Sequence, residues 1–296
     1  MKQAILISTG LLLITPFIHA EKNKDKKPNV VFILADDLGY GDLSCYGQEK
    51  FETPNIDKLA QSGMRFTQCY SGTTVSAPSR SCLLTGTHSG HTPVRGNLEL
   101  DPEGQFPLPD DARTIFEVMK DAGYKTSAFG KWGLGYIGST GDPKNQGCDT
   151  FYGYNCQLLA HSYYPDHLWD NDKRVELEDN NLNVQYGKGT YSQDLIHGKA
   201  LEYLDNMNPD EPFFMWYPTI IPHAELIVPE DSIIQKFRGM YPEKPYKGAE
   251  PGSQPGFPRG RLLFAVPSPC HFCRYGLPSG RLCRADHPKV KRQRFI

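Results

Sequence analysis

Residues 30–35 read Val-Val-Phe-Ile-Leu-Ala, an unbroken apolar run that stops on the acidic pair Asp36 and Asp37. A strand with one wet face alternates apolar and polar residues, so a continuous β-branched run suits a strand covered on both faces of a parallel sheet. Parallel strands need crossover helices, and the chain carries signals for them. Thr53 reads as a cap and Pro54 as a first helical residue, with Ile56, Leu59 and Ala60 on one face and Gly63 as the stop. Thr114 to Ala122 repeats that pattern with Ile115, Phe116, Val118 and Met119, and Gly123 ends it. "YKTSAFG" reads as a strand with Lys131 just past its end, Ser192 to Met207 as an amphipathic helix, and "PFFMWYP" as a short apolar strand before His223. This alternation predicts an α/β fold, a mainly parallel sheet flanked by helices.

In open α/β sheets the ligand crevice lies beyond the carboxyl ends of the strands. The Asp36–Asp37 pair, the turn at Ser76, Lys131 and His223 are therefore expected along one edge. Two acids there suit a cation, although an isolated Asp-Asp is also an ordinary solvated turn or helix cap. Ser76, in "TTVSAPSRSCLLTG", stands two residues before Pro78 and four before Arg80. By itself it reads as a helix cap.

With 296 residues, 39% of them hydrophobic, the chain can bury a sizeable core. A formal net charge of -2 gives no general electrostatic case for nucleic acid or an anionic membrane. Residues 1–20 place Lys2, an apolar run and Ala20 before the charged "EKNKDKK". That is the build of a secretory signal peptide cleaved near Ala20, too short and poorly flanked for a stable membrane span, and it predicts a periplasmic or secreted protein. The eight cysteines suggest no repeating disulfide framework, and Cys270 with Cys273 is a lone pair without zinc-site partners.

Five ordered blocks, "PNVVFILADDLGYGDLSCYG", "TPNIDKLAQSGMRFTQCY", "SAPSR" followed by "LLTG", "GKWGLG" and "PFFMWYPTIIPHAEL", together resemble the formylglycine-dependent sulfatases of the alkaline phosphatase superfamily. The likeness runs from about Pro28 to about Glu250. It implies that Ser76 is oxidised by a formylglycine-generating maturation enzyme to an aldehyde whose hydrate is the nucleophile. It implies that Asp36 and Asp37, with the modified Ser76, ligate calcium, and that Arg80 holds the hydrate. Lys131 is then expected to neutralise the transferring sulfuryl group, and His223 to protonate the leaving alcohol. The implied reaction is hydrolysis of a sulfate ester on a glycan or aryl alcohol. The alternatives are a phosphomonoester or phosphonate hydrolase of the same superfamily, or a non-catalytic remnant.

Two departures from the family pattern stand out. Many members read Lys-Trp-His where this chain has Lys131, Trp132 and Gly133. His161 in "CQLLAHSYYP" is a candidate substitute, or else a packed histidine beside Tyr163 and Tyr164. "THSGHTPVRGN" offers His88, His91, Arg95 and Asn97 as substrate contacts, with plain loop chemistry as the competing view. The second departure is the end of the chain. A later Asp and Asn metal pair is absent, and residues 256–296 carry nine Lys or Arg against the single acid Asp286, with no helical or strand period. With suitable codons, Cys270 to Arg281 read one base later begins an amphipathic helix. Residues 28–258 are thus expected to form a partial N-terminal catalytic domain, and 259–296 an aberrant basic tail from a shifted reading frame. A basic disordered extension is the competing reading.

Overall fold

The computed structural model describes residues 26–180, 189–223, 227–229 and 231–240. The expected signal segment, the basic tail and the Cys270–Cys273 pair lie outside them. Six strands form one sheet: β1 (Val30–Ala35), β2 (Lys125–Lys131), β3 (Thr150–Tyr154), β4 (His167–Asp170), β5 (Lys173–Glu176) and β6 (Phe213–Thr219), in spatial order β1-β6-β2-β3-β4-β5. The first four in that order are parallel, and β4 and β5 add an antiparallel hairpin. The mainly parallel α/β sheet is as expected.

Helices cover both faces: α2 (Ser76–Thr85) and α3 (Ile115–Asp121) on one, α4 (Ser192–Asn206) on the other; α1 (Pro54–Ser62) falls between β1 and α2, and α5 (Ser232–Phe237) follows β6. The pleat of β6 divides its side chains between two cores. Phe214 and Trp216 join Ala77, Phe116, Ala128 and Trp132, whereas Phe213, Met215 and Tyr217 join Phe129, Tyr154, Ile196 and Leu204. At α3 the local signals hold in detail. Thr114 accepts from the Glu117 amide while Glu117 reaches back to the Thr114 amide, and Gly123 follows at φ +81.

Two expectations need correction. None of β1's six residues is fully buried and Phe32 is 38% exposed. The cause is position: among the described residues β1 pairs only with β6 and forms the rim of the sheet. Likewise α1 buries no residue, although Ile56, Leu59 and Ala60 share a face. The Thr53 hydroxyl caps no α1 amide. It is drawn instead into a network with Ser44 and Asp57, and Gly63 ends the helix in extended backbone.

Candidate functional site

Three strand ends and one helix start build the site. Asp36 and Asp37 follow β1, Lys131 closes β2, and the turn after β6 leads to His223, with the Asp36 amide tied to Ile221 O at 3.2 Å. Ser76 is the first residue of α2. The cap position falls to Val75, which offers no side-chain cap. The plain helix-cap reading of Ser76 therefore fails. Its hydroxyl lies 3.4 Å from Asp36 Oδ1 and accepts from Arg80 Nε at 3.1 Å, as residues four apart on one helix face can.

Asp36 is the electrostatic centre. Its Oδ2 receives Lys131 Nζ at 2.7 Å and faces Arg80 Nη2 at 3.4 Å, with all three side chains buried. Burial alone would raise the Asp36 pKa, but Arg80 and Lys131 outweigh it and hold the carboxyl at about 2. For Lys131 the balance runs the other way. Burial pulls the ammonium down to about 8 despite the attraction of Asp36, and the pair is ionised at neutral pH. Arg80 also donates to Lys131 O at 2.5 Å, and its guanidinium lies 5.8 Å from the Trp216 ring centre.

Asp37 sits in the left-handed region, φ 62, with its side chain largely exposed; His223 Nε2 is 3.6 Å from its Oδ2. The His223 ring stacks on His161 at 5.1 Å between centroids and 7° between planes, and its carbonyl accepts from the Tyr163 hydroxyl at 2.5 Å. His161 is held neutral. Burial first, then the nearby positive charge of Lys131 and His223, lowers it to about 4. A cleft of about 190 Å³ opens among Asp36, Asp37, Thr73, Ser76 and Arg80.

Other candidates lie apart from this group. His88 and Arg95 are exposed, and their side chains bond within their own loop, to the Gly90 amide and carbonyl respectively. The loop's bonds to α2 come instead from Asn97, whose Oδ1 accepts from the Ala77 amide at 2.8 Å, and from the Thr92 hydroxyl, which donates to Ser81 Oγ at 2.6 Å. Beside Gly133 lies Gln157, to which the sequence drew no attention. The only signal for it was the unusual glycine itself.

Calcium takes about 6–8 oxygen ligands. The two carboxylates and the Ser76 hydroxyl facing one cleft fit part of such a shell. Among the described residues no group of three or more His, Cys, Asp and Glu stands ready to complete it.

Comparison with known proteins identifies the family. Residues 28–256 match the family model described as Sulfatase. The N-acetylglucosamine-6-O-sulfatase of Bacteroides thetaiotaomicron is 31% identical over 219 residues, 74% of this chain and 35% of that protein. The arylsulfatase of Klebsiella aerogenes is 33% identical over 242 residues, 75% of this chain and 48% of that one. The chain thus spans less than half the length of either. Among solved structures, one in complex with its substrate D-glucosamine-2-N,6-O-disulfate superposes with TM-score 0.59 at 29% identity, covering 74% of this chain and 39% of that one. Another, in complex with k-i-k-neocarrahexaose, gives TM-score 0.67 at 25% identity, covering 90% of this chain and 55% of that one. Matched over most of its length, the chain belongs to the sulfatase family.

Proposed function

We propose that this chain carries the nucleophile side of a sulfuric ester hydrolase acting on a sulfated glycan or aryl ester. One observation carries the reading: the Ser76 hydroxyl opens a helix between the Asp36 carboxylate and the Arg80 guanidinium, at the mouth of a cleft. Oxidised to formylglycine by a maturation enzyme, position 76 would add water to its aldehyde and offer the two hydroxyls of the hydrate, one to attack sulfur and one to expel sulfate as the aldehyde re-forms. A calcium ion held by Asp36, Asp37 and the Ser76 oxygen would polarise a sulfate oxygen when bound.

The chain's own groups supply the rest. Arg80 Nε fixes the oxygen at position 76, and the first turn of α2 favours negative charge there. Lys131 offsets charge on the sulfuryl oxygens from a buried position, where water screens it little. His223 gives a proton to the departing alcohol. His161, held neutral, stacks on that ring. His88 and Arg95 are proposed rim contacts for the alcohol part of the substrate.

The relatives named for N-acetylglucosamine-6-sulfate and aryl sulfate hydrolysis support a sugar or aryl sulfate as substrate. Only part of a calcium shell stands among the described residues, which favours a slow catalyst or a non-catalytic remnant as the second reading. The test is production beside a serine-accepting maturation enzyme. The peptide bearing position 76 should lose two hydrogens and react with hydrazides. The matured protein should release sulfate from aryl or glucosamine 6-sulfates, and Ser76→Ala should abolish both results. Unmodified serine in that host would sink the nucleophile reading. Turnover of phosphate esters but not sulfate esters would favour the phosphoryl alternative, and modification without turnover the remnant.

A further inference from the structure

Gly133 has φ +73, and a Cβ added there would lie 2.1 Å from Gln157 Nε2 and 3.8 Å from Arg80 Cδ. The Gln157 carboxamide thus occupies the space that a side chain at position 133 would need, a space that the stem of the Ser76-contacting arginine also borders. Gln157 is 1% exposed. Its Nε2 makes a long contact of 3.4 Å to Gly133 O, and its Oε1 has no hydrogen-bond partner among the described residues. An unpaired buried amide oxygen is costly, and natural cores keep such features mainly where function requires them.

The residue is also anchored from behind. Its backbone amide donates to Gln105 Oε1 at 3.1 Å, and buried Gln105 donates to Leu98 O at 2.8 Å, next to the Asn97 that holds the Ala77 amide. The two neighbouring amides of the segment lean on β3 and its extension, Trp132 to Tyr154 O at 2.8 Å and Gly133 to Asn155 O at 3.0 Å. One polar chain, buried at Gln105 and Gln157, therefore joins the loop behind Ser76 to the corner that follows Lys131.

We propose that Gln157 is a positioning residue: its carboxamide fills the space before Gly133, fixes the corner after Lys131, and keeps the Arg80 guanidinium on Ser76 and Asp36. The proposal deepens the sulfatase reading and rests on it for any consequence in turnover. Its geometric content stands independently of that reading. Supporting partners of this kind typically change affinity or activity by about 10–100-fold when removed.

The experiment uses the full chain labelled with ¹⁵N-arginine, with the Arg80 Nε–H peak assigned by its loss in Arg80→Lys. Gln157→Ala opens the volume; Gln157→Met keeps it filled but removes the amide. In both, exchange of the Arg80 Nε–H with solvent should quicken about tenfold while slowly exchanging amides of β6 keep their protection. Affinity for inorganic sulfate, read from tryptophan fluorescence, should weaken about tenfold in parallel. Arg80 exchange within about twofold of the native rate in either folded variant overturns the proposal, and so does failure of both variants to fold, which would make Gln157 a packing residue. If the native chain binds no sulfate, the sulfatase reading fails while the exchange rates still decide the role of Gln157.

Discussion

A single carboxylate oxygen of Asp36 serves two buried cations, Lys131 at 2.7 Å and Arg80 at 3.4 Å. Removing the shared partner leaves both uncompensated, and breaking a buried pair costs about 3–5 kcal/mol. Asp36→Asn should lower unfolding stability by that order in urea titrations; a loss under about 1 kcal/mol would mean that water already reaches both cations. Gly133→Ala is expected to destabilise through two causes. The left-handed backbone costs a non-glycine residue about 1–2 kcal/mol, and the clash with Gln157 adds overpacking of about 1–3 kcal/mol. Gln157→Ala in the same chain should return the overpacking part and leave the backbone part. A double-mutant cycle with no coupling would show that the two side chains do not compete for the space. The Ser76–Arg80 contact was legible because four residues make one helical turn. Asn97 on Ala77, and Gln157 before Gly133, were not, since each meeting spans at least twenty residues with no period to betray it.

Among the elements, α3 was readable to its caps, while the β4–β5 hairpin was missed. Its four-residue strands are too short for periodicity, and the turn signal of Asn171 at φ 54 beside Asp172 was the only clue. The hairpin is tied to the distant loop between α2 and α3 by His167, which meets Glu103 at 2.8 Å and the neighbouring Asp166 at 2.6 Å, while Trp169 donates to Glu103 at 2.9 Å. Burial works against the His167 imidazolium, but the two carboxylates prevail and raise it above its ordinary 6.5. Burial likewise opposes the Glu103 carboxylate, and the bonds from His167 and Trp169 lower it below 4.5. The raised group contributes fully below pH 6.5 and less as pH climbs through its folded value; the lowered one contributes above pH 4.5 and less as pH falls through its own. The tie is therefore strongest between those limits. Thermal unfolding of the native chain and of His167→Gln should differ most near pH 5.5 and converge in alkaline buffer. A gap independent of pH would show that His167 acts by shape alone.

At the scale of the whole molecule, one flank stands uncovered among the described residues. β1 is a rim strand with Phe32 exposed, α1 buries none of its residues, and Met64, Phe66, Tyr70 and Val75 are also exposed along the approach to α2. Unpaired edges and large apolar patches drive association, so the chain should self-associate with rising concentration, and Phe32→Lys should reduce this in sedimentation velocity. A monomer at all concentrations would show that the flank is covered by residues outside those described. Much of the molecule was written along the chain: the α/β alternation, the helix caps of α3, and the ordered blocks that place Asp36, Ser76, Arg80, Lys131 and His223 at strand ends and a helix start. Those features depend on neighbours in sequence, where period and propensity act. Tertiary structure alone decided that β1 would be a rim strand, that α1 would lack a buried face, that His161 would stack on His223, and that Gln157 would take the space before Gly133. Each depends on which distant segments arrive at the same place, and no local pattern encodes that.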